Sequence, residues 1–159
     1  MLVNQEGKME ECYHLGIKAI IRNKEGEILL LQVNKATLKQ YTGSSYWDLP
    51  GGRVQRGEKV EETLRRELFE ETGITRIKAM YPFSMDLTEI RIPNQKGEIG
   101  LILATYLCEV DIIPKIRLNT ENVAANWFLP TEAARLLSVK FPLSLTEKIR
   151  SLNSDCHWG

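Results

Sequence analysis

Two aliphatic runs, Gly16 to Arg22 and Glu27 to Val33, flank the polar tetrapeptide Asn23-Lys24-Glu25-Gly26. This pattern predicts a hairpin, with Gly26 relieving the turn. A short strand, Tyr46-Trp47-Asp48-Leu49, is predicted to run into Pro50-Gly51-Gly52. The strongest periodic segment follows and predicts a helix over about Val60 to Thr72, closed by Gly73. Further strands are expected at Lys78 to Met85, Glu89 to Ile92, Gly100 to Val110 and Ala125 to Leu129, with a hairpin turn at Pro93 to Gly97. A second helix is expected to start at Thr131 as N-cap and run to Leu137. A third places Phe141, Leu145, Ile149 and Leu152 on one face. Strands first, one helix in the middle and helices at the end imply an α/β fold in which a sheet packs between helical layers.

Length and composition narrow this reading. At 159 residues and 43% hydrophobic, with no repeat, low-complexity tract or linker, the chain is expected to form a single domain over residues 1–159. The longest apolar stretch, Ile99 to Leu107, is far short of the roughly 20 residues that a membrane span requires. It reads as a buried strand, so no membrane partner is expected. The N-terminus lacks the basic patch and apolar run of a signal peptide, which points to the cytoplasm. Cys12, Cys108 and Cys156 are odd in number and widely spaced, against both a disulfide framework and a zinc site. Lys plus Arg and Asp plus Glu both number 21, so nothing favours duplex nucleic acid. A small-molecule partner fits better, and a homodimer is left open.

Candidate chemistry concentrates in Gly52 to Ile74, GRVQRGEKVEETLRRELFEETGI. On a helix, Glu67, Glu70 and Glu71 stand at i, i+3 and i+4 and share one face. Val60, Leu64 and Leu68 form a neighbouring apolar stripe that would pin the helix to the sheet. Crowded carboxylates repel by roughly 0.2 to 0.5 kcal/mol per i,i+4 pair. Arg66, four residues from both Glu62 and Glu70, would relieve part of this. A hard divalent cation, Mg2+ or Mn2+, would relieve more, since both prefer oxygen ligands and bridge carboxylates to phosphates. Glu-rich helices are usually solvated faces. Here the preceding Leu-Pro-Gly and the placement of Gly52, Glu58 and Gly73 argue against that reading.

Those residues resemble the Nudix box, G-x5-E-x7-R-E-U-x-E-E-x-G-U, with U aliphatic. Gly52, Glu58, Arg66, Glu67, Leu68, Glu70, Glu71, Gly73 and Ile74 fill every specified position. Chance would produce this on the order of once in a billion starting positions. The resemblance implies a Nudix-type α/β/α sandwich with a mixed, partly antiparallel sheet between helices. It implies metal held by the Gly51 carbonyl and by Glu67, Glu70 and Glu71, with Glu58 and Arg66 fixing the helix through ion pairs and Gly52 and Gly73 serving structure. It also implies an acidic residue six positions before a tryptophan, which Glu121 is relative to Trp127. Glu67, Glu70, Glu121 and Arg66 are the candidates for catalysis, with Glu121 also a candidate metal ligand.

Trp47 and Trp127 could stack on a nucleobase or serve the core. His14 and His157 are read as surface residues and Cys156-His157-Trp158 as a frayed terminus. The implied reaction is attack of water on phosphorus in a nucleoside diphosphate linked to another group, with no covalent intermediate. Thr88 to Arg91 lacks the proline or tyrosine that often marks ADP-ribose and dinucleoside polyphosphate members, and Tyr81-Pro82-Phe83-Ser84 matches only part of the NADH pyrophosphatase signature. A nucleoside triphosphate pyrophosphatase, clearing ordinary or oxidised nucleotides, is the first expectation and a nucleotide-sugar pyrophosphatase the second. A non-catalytic nucleotide-sensing module and an isopentenyl diphosphate isomerase are the alternatives of other classes; the first conflicts with an intact box, and no cysteine is placed beside the box for the second.

Overall fold

The computed structural model describes residues 2–38 and 43–152 of the protein. In chain order its elements are β1 (Leu2–Val3), β2 (Met9–Glu10), β3 (Tyr13–Ile21), β4 (Ile28–Val33), β5 (Trp47–Asp48), β6 (Gly51–Arg53), α1 (Val60–Thr72), β7 (Ile77–Asn94), β8 (Gly97–Val110), β9 (Asn122–Phe128), α2 (Pro130–Leu137) and α3 (Leu143–Arg150). A short 3-10 turn covers Lys35–Thr37.

Alternation along β3 and β4 sets the layers. Ile17, Ala19, Ile21 and Leu29 project to one side, where they pack with Leu64 and Leu68 of α1. Ile20, Ile28 and Leu30 project to the other, against Ala133, Ala134 and Leu137 of α2 and Leu145 and Ile149 of α3. Strands covered on both faces read as continuous apolar runs, as these do. The result is an α/β/α sandwich. Fully burying Leu64 and Leu68 contributes about 1.5 to 3 kcal/mol each, which offsets the cost of presenting a carboxylate-rich face on the same helix.

The sheet is mixed but divides in two. One half has the order β6-β3-β8-β7 and the other β5-β4-β9. β3 pairs in parallel with β8 and antiparallel with β6. The turn at Asn23 to Gly26 forms, with Gly26 at φ 79°, yet the predicted hairpin does not extend beyond a single Arg22–Ile28 bridge. After that bridge the two strands join different halves. A cleft opens where the halves part.

Other boundaries differ from expectation for local reasons. The two strands expected at Lys78 to Met85 and Glu89 to Ile92 are one long, bulged β7, with register shifts near Pro82 and beyond Leu87. Pro50-Gly51-Gly52 is no simple loop, because Gly51–Arg53 adds an edge strand beside Gly16 to Lys18. Thr131 does not cap α2; Leu129 takes the cap position and Pro130 the first helical one, where a missing N–H costs nothing. β9 begins at Asn122, three residues before the expected start, and the small β1–β2 hairpin was not expected. The predicted turn between β7 and β8 is present. α1 has the expected bounds and ends at Gly73 in the left-handed conformation.

Candidate active site

The cleft encloses about 680 Å³. His14 and Lys18 of β3, Asp48 of β5 and Gly51 to Arg53 of β6 line one part of it. Arg66, Glu67, Glu70 and Glu71 of α1 line another, with Glu121 and Asn122 at the start of β9 and Lys140 from the α2–α3 connection. Residues distant in sequence thus meet at the split between the half-sheets.

Arg66 organises the helix end of the site. Its Nε and Nη2 donate to the two oxygens of Glu58 at 2.6 and 3.0 Å, a two-pronged charge-assisted contact that fixes both planes. The backbone N–H of Gln55 and the hydroxyl of Thr63 also donate to Glu58. With Arg66 the largest contributor, followed by these two donors, the Glu58 carboxyl is held down to about 2. The remaining Arg66 Nη1 donates to Glu67 at 2.7 Å and reaches Glu70 at 3.5 Å. Glu62, expected as an Arg66 partner, instead accepts from the Lys59 N–H at the helix start.

The three glutamates occupy different environments. Glu71 is 5% exposed, Glu67 lies beside it, and Glu70 stands on the rim with half its side chain in solvent. Glu71 accepts from the Gly51 N–H at 3.1 Å and from Asn122 Nδ2 at 3.4 Å. Burial pushes its carboxyl up to about 8; the nearby Lys18 charge and the Gly51 hydrogen bond act in the opposite direction, and Glu67 adds to the rise. A buried carboxyl with a raised proton affinity beside a second, half-buried carboxylate fits a cation, because a divalent ion would replace the proton and neutralise both groups. Among the described residues no three His, Cys, Asp or Glu side chains form a ready-made coordination cage. Arg66 holds Glu67 and draws weakly on Glu70, so the fit rests on buried Glu71 with Glu67 beside it and on the oxygen-rich surroundings.

Both glycines are required by contact. Gly51 has φ 144°, and a methyl group there would overlap the Ile17 carbonyl, with Lys18 Cα at 2.9 Å. At Gly52 a methyl group would overlap the Glu67 carboxylate instead. Gly51→Ala is therefore expected to destabilise the fold by on the order of 3 kcal/mol or more, read from a denaturant melt. Gly52→Ala should fold and lose activity, since only a side chain must move. Equal melts and equal activities for the two variants would contradict this assignment.

Glu121 is exposed at the cleft, and its backbone is tightly placed. Its carbonyl accepts from the Asn34 N–H at 2.8 Å, and Asn34 Nδ2 donates to Thr120 O at 3.0 Å. Next in sequence, buried Asn122 reaches Glu71. The structure thus brings Glu121 to the same cleft as the box glutamates.

Neither tryptophan lines the cleft. Trp47 packs edge-on against Phe128 with ring centroids 4.9 Å apart, and Trp127 packs on the α1-side core. His14, expected at the surface, lines the cleft half-buried. His157 and the Cys156-His157-Trp158 segment lie outside the described residues. Cys12 and Cys108 are free thiols, and burial pushes Cys108 up to about 12. Neither lines the cleft.

A second charged group was missed from sequence. Lys18 Nζ donates to Asp48 Oδ2 at 3.1 Å and to Leu49 O at 3.2 Å, and Lys140 Nζ donates to the same Asp48 oxygen at 2.6 Å. Burial opposes ionisation of Asp48, but Lys140 and Lys18 more than offset it and keep its carboxyl below the usual range. A lysine within the apolar run Leu15 to Ile21 was the available signal for Lys18. Lys140 had none, because its partner is far away in sequence.

This layering and this box on the edge of a split sheet are those of the Nudix hydrolase family, to which the chain belongs: the model of the NUDIX domain matches residues 13–148. Among relatives, it is 36% identical over 91 residues to nucleoside triphosphatase NudI of Escherichia coli O17:K52:H18 (strain UMN026 / ExPEC), covering 54% of this chain and 63% of that one. A putative 8-oxo-dGTP diphosphatase of Bacillus subtilis (strain 168) is 43% identical over 61 residues, 38% of this chain and 36% of that one. The chain therefore spans less than two thirds of these relatives' length. The crystal structure of a MutT protein from Methanosarcina mazei Go1 superposes with a TM-score of 0.62 at 27% identity, covering 91% of this chain and 96% of that one. Among the described residues no helix is long and apolar enough to cross a membrane.

Proposed function

We propose that the protein hydrolyses nucleoside triphosphates, ordinary or oxidised, to the monophosphate and pyrophosphate with the help of Mg2+ or Mn2+. The observation that carries this reading is buried Glu71 beside half-buried Glu67, with Glu71 set against Gly51 in a cleft that also holds Glu121. The triphosphatase and diphosphatase names of the relatives support the substrate class.

In this reading Glu67, Glu70, Glu71, Glu121 and the Gly51 carbonyl hold the metal, with Glu70 leaving its weak contact to Arg66. When bound, the cation neutralises the diphosphate and lowers the pKa of a coordinated water. The residues do the rest. Arg66 and Glu58 keep the α1 carboxylates in register, and the Gly51 N–H and Asn122 orient Glu71. Glu121 takes the proton from water as its oxygen attacks phosphorus and the bridging P–O bond to pyrophosphate breaks. Intact box geometry weighs against a purely sensing module.

The test is a screen of nucleoside triphosphates, oxidised triphosphates and nucleotide sugars for pyrophosphate or phosphate release with millimolar Mg2+. Triphosphates should be turned over fastest, with pyrophosphate as product, and chelation should abolish the reaction. Faster hydrolysis of nucleotide sugars would overturn the substrate assignment, and activity that survives exhaustive chelation would overturn the metal-based mechanism.

A further inference from the structure

Beside the glutamates the cleft carries a cationic group that the chemistry above leaves unused. Lys18 and Lys140 share one oxygen of Asp48, and Asp48 is itself 7% exposed. Two ammoniums share this one carboxylate, and the Lys18 charge also acts on Glu71, so among the described residues Lys140 has no carboxylate to itself. Among the described residues, donors are to spare. Each ammonium has three N–H groups; Lys18 uses two, on Asp48 and Leu49 O, and Lys140 uses one. Against these spare donors the cluster has one unfilled acceptor, the buried Asp48 Oδ1. A partly buried ammonium with spare donors is complementary to an oxygen-rich anion.

Lys140 is the member best placed to make the contact. Its side chain is 22% exposed against 9% for Lys18, and its ammonium is steadied over the rings of Tyr46 and Phe141 at 5.6 and 5.7 Å. It also lies at a junction. A second cavity of about 900 Å³, walled by Ile90, Ile92, Leu101 and Leu103, shares Lys18, Tyr46 and Lys140 with the glutamate cleft. The glutamates have no ion pair with Lys140 among the described residues.

We propose that Lys140, held in place by Asp48, grips a phosphate of the substrate's polyphosphate chain and so makes the enzyme prefer triphosphates to diphosphates. This rests on the function proposed above for the same cleft. Asp48 serves as a positioning residue that keeps the ammonium at the junction and yields part of it to the incoming phosphate.

Calorimetric titration of the protein in chelator with inorganic tripolyphosphate tests the clamp without relying on turnover. Lys140→Met should weaken binding by about tenfold or more, the loss of one charged hydrogen bond, and Lys140→Arg should restore most of it. Asp48→Asn removes the competing charge but keeps an oxygen that can hold the ammonium in place, so affinity should hold or rise. A merely structural Lys140–Asp48 tie would instead make Asp48→Asn resemble Lys140→Met. Should Asp48→Asn fail to fold, the Met and Arg variants still decide the matter. In steady-state assays with Mg2+, Lys140→Met should raise KM for dGTP about tenfold with kcat within about twofold, and change dGDP less. Unchanged tripolyphosphate affinity in Lys140→Met overturns the proposal, as does a loss of affinity for deoxyguanosine alone. Wild-type protein that binds tripolyphosphate through Lys140 yet hydrolyses no nucleotide would refute the proposed function and leave the clamp intact.

Discussion

Replacing Glu71 by glutamine is expected to slow turnover by about 100- to 1,000-fold, equivalent to about 2.7 to 4 kcal/mol of lost transition-state stabilisation. The exchange keeps the side-chain volume and the acceptor for the Gly51 N–H, so the loss reports charge. Turnover within about threefold of wild type would remove Glu71 from the metal site. Stability should move in the opposite direction. In the folded protein burial pushes the Glu71 carboxyl up to about 8, from an ordinary value of 4.5. Its proton is therefore held more tightly folded than unfolded, and the associated stability is complete below about pH 4.5 and lost as pH rises through about 8. Melts in chelator should show wild type weakening over that window, by on the order of a few kcal/mol, and Glu71→Gln lacking that component. Parallel pH profiles for the two proteins would mean that Glu71 is solvated rather than buried.

Glu121→Gln is expected to lower kcat strongly while barely changing KM, as for an interaction made mainly in the transition state. The backbone around Glu121 is pinned through Asn34 rather than through its carboxylate, so the variant should melt like wild type. Glu132 supplies the control. It is half-exposed in the first turn of α2 and paired with Arg135 at 2.6 Å, and Glu132→Gln should leave turnover nearly unchanged. Equal, small effects for both variants would return Glu121 to the ordinary loop residues and make Glu67 the first candidate for the general base.

What was legible in the sequence was what depends on near neighbours. The bounds of α1 follow from its apolar stripe and from Gly73, and the grouping of Glu67, Glu70 and Glu71 follows from helical spacing. Contacts between distant segments were not legible. Nothing in Asn23 to Gly26 says that the strands on either side will part after one bridge, because that outcome is decided by β3 finding β8 and β4 finding β9. The Lys18–Asp48–Lys140 group failed to show for the same reason. The edge strand at Gly51-Gly52 did not show, because its partner is β3, on the far side of two intervening strands in the chain. Thr131 looked like a cap, but Pro130 had already fixed the helix start one residue earlier.

The parallel pairing of β3 with β8 also bears on how the molecule acquires its activity. Tyr13 lies opposite Gly100 and Ile21 opposite Cys108, while β4 pairs with a strand that starts at Asn122. Contacts so remote along the chain close slowly, because the entropy of the intervening loop is lost before the pairing repays it. A nascent chain emerging from the ribosome can wind α1 as soon as Thr72 is out, but Glu121 and Asn122 do not yet exist. Until they arrive, the glutamate helix is only a negatively charged ribbon. In the proposed mechanism, catalytic competence is therefore a late event in folding, gained together with the long-range sheet rather than with the helix that carries the motif.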